Sequence, residues 1–130
     1  MMIIRKTNTT FWILLAGSVW GIVEGTAGWI IHLFHIHHLT PLLILTGVIC
    51  MMIAVIKTKR PEAAFKVAGV TAVLKLTNLF LLTHQPLSWV LAPVIHILSE
   101  GLIVALILYC AKAIVQSPGL RYFSIYNKRK

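Results

Sequence analysis

Four long apolar stretches, separated by short polar or basic segments, make up most of this 130-residue chain. They cover residues 11–34, 39–56, 63–83 and 87–115. A helix needs about 20 mainly apolar residues to cross a bilayer. The pattern therefore predicts an all-α fold, a polytopic bundle of four transmembrane helices. The composition agrees, because only 12% of the residues are charged, against roughly 25% in soluble domains.

Threonines and prolines suggest where these helices begin and how the last one runs. Thr9 or Thr10 is expected to cap the first helix, and Pro41 suits the first turn of the second. The last stretch is long and contains Pro93. It forms either one long kinked helix or a short re-entrant piece followed by a separate span, which would give five segments. We favour the single kinked helix.

Lys and Arg side chains are distributed unevenly between the connecting segments. With four spans, most of the twelve fall on the side that holds both termini and residues 57–60, and the loops at residues 35–38 and 84 hold none. The positive-inside rule therefore predicts a multi-pass protein of the cell (inner or plasma) membrane with both termini in the cytoplasm. The formal charge of +9 does not indicate nucleic-acid binding, because the basic residues border apolar spans and form no continuous face.

Two regions follow from this distribution. Residues 1–116 are predicted to form a single transmembrane helical bundle, and residues 117–130 a basic, aromatic cytoplasmic tail. The tail mixes Tyr122, Phe123 and Tyr126 with basic residues. We expect it to lie along the anionic inner surface of the membrane.

Glycines recur along the first apolar stretch at Gly17, Gly21 and Gly25, with Gly28 three residues further on. Such a stripe lets helix backbones approach closely in lipid, so it predicts a helix-packing or docking face. Glu24 projects from nearly the same face, and its carboxylate is expected to point at a neighbouring helix. Charge in hydrocarbon is costly and seldom kept without a use, although a role in packing alone is the alternative.

Four more polar side chains lie in the later stretches. Lys75 and Asn78 share a polar stripe on the third, and His96 and Glu100 lie one turn apart on the fourth. Glu24, Lys75 and Glu100 all fall near mid-span, so we expect either a buried ion cluster or the floor of a polar cavity. Two acids and one base would leave one carboxylate for a solute amine, a cation or a proton. The predicted substrate-binding set comprises these five side chains.

Four histidines, His32, His35, His37 and His38, lie close together at the end of the first stretch. Clustered imidazoles can bind zinc, nickel, cobalt or copper. Their spacing matches no closed site, however, and uncharged histidine also suits a helix end at the outer interface. Nothing in the chain resembles a nucleophile–base pair, a phosphate loop or a zincin helix, so we predict no enzyme and no cofactor.

Several short motifs are similar to those of a known family. The run Trp20-Gly-Ile-Val-Glu24, followed by Gly28 and His32, resembles the first-helix signature of the substrate-binding (S) components of energy-coupling-factor (ECF) transporters. Similar fragments within residues 12–108 are Pro41 with Gly47, Gly69-Val-Thr-Ala72 with Lys75, and Ala92-Pro93 before Ile97-Leu-Ser-Glu100-Gly101.

The resemblance implies a helical bundle that captures a vitamin, a precursor or a metal ion from outside. Such a bundle couples to a membrane scaffold and paired ATPases. By the same resemblance Glu24, Lys75 and Glu100 would line or brace the pocket, and the glycine stripe would form a docking face. S components usually contain more helices than this chain. It would therefore be a reduced relative, or would pair with itself or with another chain.

Three functions remain open from the sequence. We favour a membrane-embedded solute-binding subunit of a transporter, ECF S-component-like, that captures a small molecule or ion from the outer side. One alternative is a small scaffold or assembly subunit whose buried polar residues fix helix packing, and another is a metal- or proton-conducting membrane protein. The expected partners are the lipid bilayer, transporter scaffold and ATPase subunits or a second copy, and the ligand.

Overall fold

The computed structural model describes residues 2–81 and 86–116, with the side chains of residues 2–7, 37, 78 and 79 excepted. It contains four α-helices: α1 (Met2–Leu33), α2 (Thr40–Thr58), α3 (Glu62–Leu81) and α4 (Leu87–Val115), with a 3₁₀ turn (His37–Leu39) before α2. No strand occurs within the described residues, so the all-α prediction is confirmed. The predicted tail, residues 117–130, and the loop at His84 lie outside the described residues.

Within the part of the chain that the structure describes, three helical segments are long and apolar enough to cross a membrane: Asn8–Leu33, Thr40–Thr58 and Leu87–Val115. The third helix of the chain, α3, is not among them, and it carries Lys66 and Lys75 within its 20 residues. The structure therefore supports a membrane protein with three apolar helices of spanning length.

The helix ends follow the sequence signals most clearly at α2 and α4. α4 begins and ends where the last apolar stretch does, and Pro41 lies in the first turn of α2 as expected. α4 is one continuous helix with Pro93 inside it, so the re-entrant alternative is wrong. The capping role expected of Thr9 or Thr10 is also wrong, because α1 begins at Met2. The segment before the threonines contains no glycine or proline, so nothing in it stops the helix from extending.

α3 is the central helix of the bundle and packs against α1, α2 and α4. Its buried face consists mainly of small side chains, and Ala64 and Ala68 are fully buried. A methyl group added at Gly101 of α4 would collide with Ala68. Because small residues allow backbones to approach closely in lipid, these positions set the close contact between α3 and α4.

Side-chain contacts between helix ends show how the four helices are arranged. At one end, Lys57 lies over the ring of Trp12, 5.1 Å from its centroid, and the Tyr109 hydroxyl donates to Oε2 of Glu62 at 3.3 Å. At the opposite end, the rings of His32 and Trp89 stack with their centroids 6.4 Å apart. The start of α1, the end of α2, the start of α3 and the end of α4 therefore share one end of the bundle.

Candidate functional site

A lysine and a glutamate from two different helices meet inside the bundle. Nζ of Lys75 on α3 donates to the backbone carbonyl oxygen of Glu24 on α1 at 3.2 Å. The same nitrogen lies 4.0 Å from Oε1 of Glu24, and the two side chains are only 12% and 15% exposed. The structure therefore brings together two of the predicted site residues, and the ammonium contacts both the carboxylate and the main chain of its partner.

The close approach of α1 to α3 positions this pair. A Cβ atom at Gly17 would lie 2.6 Å from Cβ of Val70, and one at Gly21 would lie 2.7 Å from Cδ1 of Leu74. A side chain at Gly17 would push α1 and α3 apart, and one at Gly21 would displace the end of the Leu74 side chain. A buried threonine completes the contact, since the Thr71 hydroxyl donates to the carbonyl oxygen of Gly17 at 3.0 Å.

The glycines of the α1 stripe therefore differ in what they contact. Gly17 and Gly21 pack against α3 of the same chain, which agrees with the helix-packing role predicted for the stripe. Gly28 borders the ion pair: a Cβ atom there would lie 3.6 Å from both Oε1 of Glu24 and Nζ of Lys75. No described atom lies within 4 Å of a Cβ placed at Gly25. Of Gly17, Gly21 and Gly25, only Gly25 leaves room for a partner.

Glu100 on α4 is partly buried and lies apart from the ion pair. Its Oε1 atom is inaccessible to solvent and has no hydrogen-bond partner within the described part of the chain. Among the described residues, Lys75 forms an ion pair with Glu24 and none with Glu100. The expected three-membered cluster is therefore an ion pair between α1 and α3, with a separate carboxylate on α4.

Of the two other members of the predicted binding set, one is exposed and the side chain of the other is outside the described part of the structure. His96 is exposed; it lies outside the buried interior, although it is one turn from Glu100. The Asn78 side chain lies outside the described residues. The partly buried charged side chains of the predicted set are therefore the Glu24–Lys75 pair and the separate Glu100.

The four clustered histidines lie at the end of the bundle opposite the basic residues. His32 stacks on Trp89, His35 adopts a left-handed backbone conformation with φ of 55°, and His38 is exposed. The side chain of His37 is not described. Among the described residues, no group of three His, Cys, Asp or Glu side chains could hold a metal ion, so the structure gives no support to the predicted metal site.

An open groove of about 620 Å³ runs along the outside of α1 and α3. Its lining residues are Ile13, Leu14, Ser18, Lys66, Gly69, Val70, Val73 and Leu74. None of the predicted binding residues lines it. This groove is therefore not the polar cavity expected around the mid-span charges.

Trp20 is a buried residue of this region whose role the sequence did not indicate. Its side chain is 1% exposed, it packs against Gly47 of α2, and its Nε1 atom has no hydrogen-bond partner in the described structure. Trp20 precedes Glu24 by four residues, so both project from one face of α1. That spacing is the signal that could have placed Trp20 on the inward face of α1.

Comparison of the chain with protein-family models, with curated proteins and with solved structures gives no match. The similarity to ECF S components therefore rests on the short motifs of the sequence alone.

Proposed function

We propose that this protein is a membrane-embedded solute-binding subunit of a transporter and that its ligand presents a cationic group to Glu100. The observation that carries the proposal is the buried Oε1 atom of Glu100, which has no hydrogen-bond partner in the described structure. An ionised carboxylate withdrawn from water without a partner is costly. A cation or ligand amine at this position would offset that cost.

The balance of charge around Glu100 supports a cationic ligand. Lys75 already donates to the main chain of Glu24 and faces its carboxylate. Glu24 and Glu100 together carry one more negative charge than Lys75 neutralises. A positive group beside Glu100 would interact favourably with its carboxylate, whereas an anion would be repelled.

We further propose that α3 is a fourth span. Twenty residues of helix measure about 30 Å, the thickness of the hydrocarbon core. The three apolar helices surround α3 on several sides, so less of its surface would face lipid than for an outer helix. Its charged residues near the start, Glu62 and Lys66, would lie at the interface, and the mid-helix charge of Lys75 is paired with Glu24.

An even number of spans leads to the proposed orientation. The end of the bundle with Lys57, Lys59, Arg60 and Lys112 would face the cytoplasm, and the histidine end would face outwards. The partly buried Glu100 would then be reached from the outer side. By resemblance to ECF S components, import would require scaffold and ATPase subunits or a second copy of this chain.

The test is identification of small molecules that remain bound during purification in mild detergent. We expect the wild-type protein to retain a cationic or amine-bearing molecule, detected by mass spectrometry after denaturation. Glu100→Gln should weaken its binding by about 30-fold or more, as expected when one member of a buried charge pair is neutralised. Glu62→Gln is the matched control, because that carboxylate lies at the bundle end with a 41% exposed side chain.

Two results would contradict this proposal. One is a wild-type protein that retains no cationic molecule under conditions that preserve its fold. The other is a Glu100→Gln variant that retains the same molecule as strongly as the wild type does.

A second candidate function is a small assembly or scaffold subunit. The observation that favours it is the Glu24–Lys75 pair, which joins α1 to α3 and contributes no residue to the open groove. In that case Glu100→Gln would change association with a partner subunit or the stability of the bundle, and no small molecule would copurify.

A further inference from the structure

The open groove between α1 and α3 combines an apolar lining with one charged side chain at its end. Lys66 is the charged residue among its lining positions, and it is exposed. None of the ion pairs within the described residues involves Lys66. The groove therefore presents a positive group without a protein counter-ion beside an apolar surface.

Gly69 gives the groove its depth. It lies one turn after Lys66 on α3, and no described atom lies within 4 Å of a Cβ placed there. Ser18 supplies a second small side chain from α1. Larger residues, Val73 and Leu74, lie further along the same side. The missing side chain at Gly69 therefore leaves room for a flexible chain to lie against the helix.

The length of the groove matches one leaflet of a bilayer. Lys66 lies one turn after Glu62, about 6 Å from the start of α3. From Lys66 to Leu74 the helix rises about 12 Å, close to the roughly 15 Å of half a hydrocarbon core. If α3 spans the membrane as proposed above, Lys66 reaches the headgroup layer by extending its side chain.

We propose that this groove binds one anionic phospholipid of the cytoplasmic leaflet. The lipid phosphate pairs with the Lys66 ammonium, and one acyl chain lies over Gly69 towards Leu74. A second copy of the protein is a poorer match to the positive charge of the groove. The same surface of that copy would contribute another Lys66 ammonium and no carboxylate to pair with it.

Native mass spectrometry of the detergent-purified protein tests this proposal. The probes are dioleoylphosphatidylglycerol and dioleoylphosphatidylcholine, which share their acyl chains and differ in net charge. We expect the first phosphatidylglycerol to bind about five-fold more tightly than the first phosphatidylcholine, the preference that one lysine near a membrane surface supplies. Lys66→Gln should remove this preference. Lys112→Gln, a change of an exposed lysine near the same end of the bundle, should retain it.

A second pair of variants tests the place of the acyl chain. Gly69→Leu should weaken binding of the first lipid of either kind roughly ten-fold, the effect of losing about two methylene contacts. Gly25→Leu is the matched control, because a side chain there also enters open space, and it should bind both lipids as the wild type does. Circular dichroism checks that each variant keeps its helical content.

Three results would overturn the proposal. Lys112→Gln could lower the preference for phosphatidylglycerol as much as Lys66→Gln does, which would indicate general attraction to the basic end. Gly69→Leu could leave lipid binding unchanged. The wild type could appear as a dimer that Gly69→Leu converts to a monomer, which would identify a second copy as the occupant. None of these results depends on whether a solute binds at Glu100.

Discussion

Removing the Lys75 ammonium is the most direct test of the buried ion pair. Lys75→Met keeps a long unbranched side chain but leaves the Glu24 carboxylate, which is 15% exposed, without its counter-ion. It also removes the hydrogen bond to the Glu24 carbonyl oxygen. Breaking a buried pair by deleting one partner costs about 3–5 kcal/mol. The Nζ–Oε1 distance of 4.0 Å is long for an ion pair, so we expect a loss of about 2–4 kcal/mol.

The double variant Glu24→Gln with Lys75→Met distinguishes the interaction energy of the pair from the cost of changing each residue by itself. Neutral side chains of similar volume replace both charges, so no unpaired charge remains in the interior. Replacing a whole buried pair in this way is often neutral, and we expect the double variant to unfold within about 1 kcal/mol of the wild type. With the single variant Glu24→Gln completing the cycle, the coupling energy should be at least about 2 kcal/mol.

Unfolding of purified protein in mixed detergent micelles, followed by tryptophan fluorescence, measures these free energies. Trp20 reports on the interior because it is 1% exposed. Lys112→Met, at an exposed position of α4, is the control and should change stability by less than about 0.5 kcal/mol. A Lys75→Met variant as stable as this control would refute the reasoning. So would a double variant that is no more stable than Lys75→Met alone.

The remaining predictions concern helix packing and orientation. Gly17→Leu should destabilise the bundle by about 1–3 kcal/mol, because its side chain would overlap a valine of α3. Gly25→Leu should change the unfolding free energy by less than about 0.5 kcal/mol. Equal effects of the two variants would show that α1 does not pack on α3 through Gly17. For orientation, a membrane-impermeant maleimide should label His35→Cys in intact cells and Lys59→Cys only after permeabilisation, in a chain whose native cysteines are replaced by serine. The reverse labelling pattern would contradict a cytoplasmic location of the basic end.

The sequence predicted the helices well because hydrophobic length and proline positions determine them locally. α4 has the predicted limits, and Pro41 lies in the first turn of α2. The start of α1 was missed for a local reason too. Thr9 and Thr10 are residues that favour a helix cap, but neither prevents a helix from running through them, and α1 begins at Met2.

The candidate site was harder to predict, because sequence spacing does not tell which face of a helix packs inwards. His96 and Glu100 are four residues apart on α4, which separates them by about 40° around the helix axis. The buried face is set by Ile97, Gly101 and Ala105, and Gly101 packs closely against α3. Glu100 lies at the edge of that face and is partly buried. His96 lies about 40° further round and is exposed.

The two partly buried carboxylates, Glu24 and Glu100, differ in their contacts, and this difference indicates which one serves packing and which one binding. Glu24 has its ammonium partner on α3, so neutralising Glu24 should act first on the stability of the α1–α3 contact. Glu100 has a buried oxygen without a partner in the described structure, so its neutralisation removes no described contact. A carboxylate that serves only packing would be expected to have such a contact, because an unpaired buried charge destabilises the bundle. Glu100→Gln should therefore leave the bundle as stable as the wild type, or more stable, while it weakens binding of a cationic ligand.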